Sequence, residues 1–241
     1  MSNKTIRFIA NHQEIMNQLV EAPVPAAKEI PKWWKEMPKQ VQIGNIEFNP
    51  PTVKLCAPTM DIFTSGYIVK LWSDIYVTQN EENKKNNVCK VSFPNGLKYH
   101  PISTWHEDQV SSFKYNIPDN FYKNVTKYNH GWTTKTPNGW SCLITHPFAY
   151  NNLPFYSLPG FVDTDILNTD INTPFIIKKG FTGIIEKGTP MFQIIPIKRE
   201  SWNHEIYRTE DGLKEYHVEQ QKVLSKFINY YSNLRERKKY K

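Results

Sequence analysis

The side chains whose types and spacing most plainly admit chemistry are the carboxylates of GFVDTDILNTDIN, residues 160–172. Asp163 and Asp165 alternate with Val162 and Thr164. On a strand they would share one face about 7 Å apart, near enough to hold Mg²⁺ or to activate a water. Aspartate equally favours the closing of turns, so a structural role competes with the catalytic one. The histidines (His12, His100, His106, His130, His146, His204, His217) form no HxH or HExxH pair. His100 and His106 stand six apart in a proline-bounded stretch, a poor ligand spacing, so no metal site is expected. Cys56, Cys89 and Cys142 are too few and too far apart for a disulfide framework or a CxxC site, and read as small buried residues in a reducing compartment. GxSxG, GxxxxGK[ST] and GxGxxG are all missing, which excludes the usual nucleophile elbow and phosphate cradles.

The elements that would have to position these groups are mostly strands. In YIVKLWSDIYVTQ, residues 67–79, apolar side chains recur at Tyr67, Val69, Leu71, Ile75 and Val77, which predicts a strand. The polar NEENKKNN reads as a loop, and VCKVSF as the returning arm of a long hairpin. TKYNHGWTTKT, the turn PNG and GWSCLITH read as a second hairpin, and residues 175–199 hold two or three more strands with a turn at Lys187–Gly188. A short helix over 57–65 is expected to end at Gly66. Residues 94–125, with three prolines and little periodicity, read as a long excursion over the sheet. From about residue 211 the period changes. Leu213, Tyr216, Gln220, Leu224, Phe227, Tyr231 and Leu234 step by three and four, an amphipathic stripe close to heptad spacing. It would pack on its own domain or join subunits.

Seventeen prolines against ten glycines in 241 residues shorten every element, and 13 Phe, 13 Tyr and 7 Trp supply bulk suited to strands and interfaces. The boundaries drawn are one β-rich domain over 1–202, with an N-terminal arm over about 1–52, and a helical extension with a basic tail over 203–241. Adjacent Trp33 and Trp34, in IPKWWKEMP, cannot share a helix face, so one is free to anchor the core while the other covers a neighbour or a partner chain. Trp33, Trp34, Phe227 and Tyr231 are the interface candidates. The net charge of +7, much of it in Arg235, Arg237, Lys238, Lys239 and Lys241, serves solubility or draws nucleic acid to the tail. Neither a signal-peptide core nor a run of about 18 apolar residues is present, so secretion by a signal peptide and membrane insertion are not expected.

IPKWWKEMP, GYIVKLWSDIYV, TPNGWSCLITHP, LPFYSLPGFVDTD and EKGTPMFQIIPIKR together resemble a family of proteins encoded by tailed phages, marine ones especially, over most of residues 20–202. That resemblance implies a viral origin, with residence in the host cytoplasm or the virion, and no activity. GFVDTD followed by IIEKGTPMFQII is similar, over about forty residues, to the core of the dUTPase-like β-clip fold. It implies a water-activating role for Asp163, a turn at Gly188, a buried amide at Gln193, and a homotrimer. The sequence departs from that family in three places. Ile166 stands where a base-stacking aromatic belongs, LITHPFAYNN lacks the Ser-rich phosphate motif, and a basic helix replaces the Gly-rich C-terminal motif.

The expected fold is mainly β (α+β), a compact barrel- or β-clip-like core with a Pro-rich N-terminal arm and a C-terminal amphipathic helix. Its core is expected to bring Asp163 close to Gln193. Asp163, Asp165, Gln193 and His146 are the ligand-binding candidates, with Asp163 the catalytic one. The leading functional expectation is a non-enzymatic virion or assembly component that contacts itself or other viral proteins. The alternatives are a nucleotide-binding or -hydrolysing protein, the one case that admits Mg²⁺, and a binder of nucleic acid or a host factor. No other cofactor is implied.

Overall fold

The computed structural model describes residues 4–16, 20–45, 49–110, 112–225 and 240. The chain divides into two compact units. The first comprises Met1–Pro31, Phe63–Lys198 and Tyr240–Lys241; the second comprises Lys32–Ile62 and Arg199–Lys239. The sequence-drawn boundary at 202 lies four residues beyond the end of the first unit's last strand.

The strands of the first unit are β1 (Arg7–Ala10), β2 (Val24–Pro25), β3 (Tyr67–Lys70), β4 (Ile75–Thr78), β5 (Lys90–Ser92), β6 (Ile102–Thr104), β7 (Thr126–Tyr128), β8 (Trp132–Lys135), β9 (Trp140–Thr145), β10 (Phe155–Ser157), β11 (Gly160–Val162), β12 (Thr173–Ile177), β13 (Gly183–Ile185) and β14 (Pro190–Lys198). All their pairings are antiparallel. They form a five-stranded sheet in the order β11-β9-β14-β3-β2, a four-stranded sheet β10-β12-β7-β6, a three-stranded sheet β13-β4-β5 and the pair β1-β8. The short helices are α1 (Gln13–Met16), α2 (Lys32–Glu36), α3 (Ala57–Thr64) and α4 (Glu81–Lys85); α5 (Glu210–Ser225) is longer. The protein is thus mainly β with a C-terminal helix, and among the described residues no helix is long and apolar enough to cross a membrane.

The nine residues of β14 explain the layout. Met191 through Ile195 are buried without alternation, the pattern of a central strand covered on both faces. Phe192 and Ile194 lie in one apolar core with Val69, Ile144, Phe155 and Phe175. Tyr128 is buried in the same core, and its hydroxyl donates to Lys70 O at 2.7 Å while accepting from Trp72 N at 3.1 Å. The hydroxyl links β7 to the segment after β3, so two sheets are joined by a satisfied polar group rather than an orphaned one. Proline falls where a ladder tolerates it: Pro25 lies on the edge strand β2 and Pro190 opens β14 beside a register shift.

Of the two expected hairpins, one forms over part of its length and the other does not form. The run predicted as one strand over 67–79 breaks at Leu71–Asp74, so that β3 joins the central sheet while β4 makes the expected hairpin with β5. The turn at 137–139 does not fold β8 onto β9; β8 pairs with β1 while β9 takes β14 and β11. At both breaks the apolar period survives, and the partners of β3 and β8 are set by distant chain. The polar NEENKKNN also holds a helical turn, α4, whose first turn is closed by Asn80 Oδ1 accepting from Asn83 N at 2.7 Å. The excursion over 94–125 contains β6 and 3₁₀ turns at Glu107–Val110 and Phe113–Asn116.

Gly66 follows α3 at φ +67°, and a Cβ there would stand 1.9 Å from the Ile194 carbonyl oxygen. Only glycine lets the chain turn into β3 against β14. Gly66→Ala combines backbone strain with a main-chain clash and should cost about 3 kcal/mol or more, read as a lowered urea midpoint at unchanged slope.

His130 is fully buried, its Nδ1 accepting from Trp132 N at 3.3 Å. Burial pushes its pKa down to about 4, overcoming the upward pull of Asp170 and the Ile171 backbone. The neutral form is the one the fold holds, so this contribution to stability is full above pH 6.5 and falls away as pH drops towards 4. Near pH 5 the loss amounts to about 2 kcal/mol. Urea unfolding at about pH 7.5 and about pH 5 should show a drop that His130→Asn reduces by that amount; an equal drop in both proteins would place its source elsewhere.

Candidate functional site

Asp163 and Asp165 lie just past the end of β11, not along a strand. After Val162 the chain turns: Thr164 N donates to Val162 O, and both Ile166 N and Leu167 N donate to Asp163 O, at 2.9, 3.0 and 2.8 Å. The expected shared strand face therefore does not exist. Each carboxylate instead meets a donor from the neighbouring chain. Ser141 Oγ on β9 donates to Asp163 Oδ1 at 2.5 Å, and Gly139 N in the preceding turn donates to Asp165 Oδ2 at 2.8 Å. Between them the Thr136 and Thr164 hydroxyls share a hydrogen bond of 2.7 Å, Thr136 N reaches Thr164 O at 3.3 Å, and Thr136 Oγ1 donates to Trp140 O at 2.8 Å. Ser141, Thr136 and Thr164 are all buried. This polar clip fastens the turn at 137–139 to the turn at 163–166, the structural role open to aspartates from the start.

Gln193 does not join them. Asp163 follows Val162, which pairs with Cys142 on β9, so it lies level with Ser141 and Ile197; Gln193 pairs with Thr145. The separation is two strands across and four residues along, about 16 Å at ordinary sheet spacings. The expected closeness of Asp163 and Gln193 is thereby corrected: they share a sheet without sharing a site. Gln193 is buried, its Oε1 accepting from Phe148 N at 3.2 Å and its Nε2 donating to Ser65 O at 2.6 Å. The amide stitches two loops to the central strand.

His146 stands near that end of the sheet and is also spent on structure. Its Nδ1 accepts from Ser157 N at 3.2 Å, which leaves Nε2 to donate to Tyr150 O at 3.0 Å. The ring stacks on Tyr156 with centroids 4.9 Å apart. Burial lowers its pKa, so the neutral tautomer that makes both bonds is the stable one. The buried thiols of Cys89 and Cys142 are pushed up to about 11 by burial and stay protonated at neutral pH, without nucleophilic character.

Sequence reading missed a third cluster. Tyr99 Oη donates to Asp170 Oδ2 at 3.1 Å, and Thr169 Oγ1 donates to Oδ1 at 3.1 Å. Burial, and then the Asp170 charge, raise Tyr99 well above its usual value. The Tyr99 ring lies against Trp72 and His12, and Gly131 at φ +72° packs close to it. The only signal in the sequence was the third aspartate of 160–172, whose partner is 71 residues away.

A cleft of about 1010 Å³ opens between α4, the end of β6 and the segment 123–125, with Trp105, His106, Asn86 and Lys123 among its walls. Its best-placed polar groups hold those walls together. Lys123 Nζ donates to Ile117 O at 2.5 Å and pairs with Asp119 at 3.1 Å, while the Asn124 amide bonds both backbone groups of Cys89. Among the described residues no group of three or more His, Cys, Asp or Glu could hold a metal ion. In the Asp163–Asp165 pair, Asp163 Oδ1 and Asp165 Oδ2 each accept a hydrogen bond, from Ser141 and Gly139.

In the second unit Trp34 is 2% exposed and Trp33 45%, their rings edge to face at 5.5 Å. Of the two, Trp34 is the one whose surface is hidden. Phe227 and Tyr231 lie outside the described residues, as does the basic tail apart from Tyr240. The described part of the C-terminal segment carries seven exposed large apolar residues: Trp202 (85%), Ile206, Tyr207, Leu213, Tyr216, Val218 and Val223.

No family model and no curated protein matches this chain. Among solved structures it is similar to the dUTPase of phage phi11 of S. aureus, studied as a single-site mutant for its coordination of a structural Mg(II) ion. Identity is 8%, the TM-score 0.35, and coverage 86% of this chain and 97% of that one. It is similar also to the dUTPase of Staphylococcus bacteriophage 80alpha, again a mutant form, at 10% identity and a TM-score of 0.36, covering 86% of this chain and 96% of that one. Likeness at this level transfers neither residues nor activity to this chain.

Proposed function

We propose that the protein is a non-enzymatic viral assembly component, in the virion or on the way to it, that acts through protein–protein contacts. The observation that carries this reading is the C-terminal segment, where large apolar side chains from Trp202 to Val223 face solvent. Exposed apolar residues gathered in one segment mark a surface made to be covered. The resemblance to tailed-phage proteins supplies the viral context. On the other side, each side chain suited to chemistry is engaged in holding the fold: Asp163 and Asp165 in the polar clip, Gln193 between two loops, His146 between two backbone groups. The nucleotide alternative would need Asp163 turned towards a water and a phosphate cradle near it, and no observation favours that arrangement.

Particles purified from infected cells should contain the protein at a fixed copy number, measured by quantitative mass spectrometry. Absence from both particles and assembly intermediates would overturn the reading.

The purified chain given a panel of nucleoside triphosphates with Mg²⁺ should show only background hydrolysis. Asp163→Ala should leave that background unchanged and lower unfolding stability by about 1–3 kcal/mol, because the Ser141 hydroxyl loses its buried acceptor. Turnover by the native chain that disappears in Asp163→Asn would restore the carboxylate to a catalytic role.

A further inference from the structure

We infer that α5 is one strand of a parallel coiled coil made with a second copy of this chain; this rests on the contact-driven function proposed above and names its partner. Within the helix, Leu213, Tyr216, Gln220 and Val223 follow the alternating three–four spacing of a heptad seam, at positions a, d, a and d. All four are exposed, and they span about 15 Å of helix. In the sequence the same spacing runs on through Phe227, Tyr230 and Leu234, which lie outside the described residues.

Three features point to a copy of the chain as the occupant. First, the helix is poorly supported alone. Gly212 weakens its first turn, where Thr209 Oγ1 accepts from Gly212 N at 3.2 Å, and a helix none of whose described side chains is buried is marginal in water. Second, the seam contains one amide, Gln220. Placed against an apolar partner it would lose its hydrogen bonds to water without replacement; placed against Gln220 of an identical helix in parallel register, each amide meets its complement. An antiparallel pair that kept these amides together would set Leu213 against the sequence position of Phe227 and leave those of Tyr230 and Leu234 unmatched. Third, the flanking positions do not repel. By heptad position, parallel register sets Gly212 opposite His217 and Glu219 opposite Leu224, with no like charges opposed. Lys214, Glu215 and Lys222 fall on the outer face, where Lys214 pairs with Asp211 and Lys222 with Glu219.

The test is light scattering on the full chain across concentrations of roughly 1 to 100 µM, the range in which short coiled coils associate. The expected mass is twice 28.3 kDa. Leu213→Lys with Val223→Lys should return it to the monomer while near-ultraviolet circular dichroism of the β unit stays unchanged. Gln220→Leu should preserve the oligomer and shift its dissociation to lower concentration. Gln220→Cys, in a Cys56→Ser background, should form an intermolecular disulfide on mild oxidation, and so should Leu213→Cys, which an antiparallel pair centred on residue 220 would hold apart from its copy. A native chain monomeric throughout, an oligomer indifferent to the double lysine variant, or failure of either cysteine variant to cross-link would each overturn the coil. A monomer still incorporated in particles removes the coil alone; an oligomer missing from particles removes the assembly role and leaves the coil standing.

Discussion

The burial of β14 on both faces is the constraint from which the rest of the first unit follows. A strand with five consecutive buried residues must be flanked on both edges and covered above and below, since its backbone groups and its side chains both need partners away from water. β9 and β3 supply the edges. The covering layers bring distant parts of the chain together, and the residues at the joins are those with special demands: Gly66, which fits against the Ile194 carbonyl because it has no Cβ, and Gln193, the one polar side chain in the buried run, whose amide answers the backbone at both Phe148 and Ser65.

The same economy governs the other polar groups inside. Tyr128 bridges two sheets through a hydroxyl that both donates and accepts, and His146 uses both ring nitrogens on backbone partners. The Asp163–Asp165 region closes two turns against each other with a serine, two threonines and a backbone amide. In an interior with this few glycines and this many short strands, connections are many. Side-chain hydrogen bonds supply cohesion that longer ladders would otherwise give. A group occupied in this way is held in one rotamer by its partners.

The second unit follows different physics. Trp34 gives up its surface while its neighbour keeps nearly half, and α5 buries none of its described seam. An amphipathic helix gains most of its stability from the face it hides, and α5 shows that face to solvent along its described seam. The function proposed here is therefore located where burial is missing rather than where chemistry is concentrated.

The β-rich character, the helix over 57–64 ending before Gly66, the strands of 173–198 and the C-terminal helix were all legible in the sequence, because period, proline placement and turn residues are local properties of the chain. So was the choice left open for Asp163 and Asp165, since a turn and a strand differ there by only a few dihedral angles. The β4–β5 hairpin apart, which strands pair was decided only by the tertiary structure. The breaks at Leu71–Asp74 and Pro137–Gly139 send neighbouring strands into different sheets, and no residue near either break announces the partner, which lies as far off as β1 from β8 or β3 from β14. The separation of Asp163 from Gln193 is of the same kind, set by the register of β9 against both β11 and β14. Local pattern fixes the conformation of a segment; its position depends on what buries it, and that is a property of the whole chain.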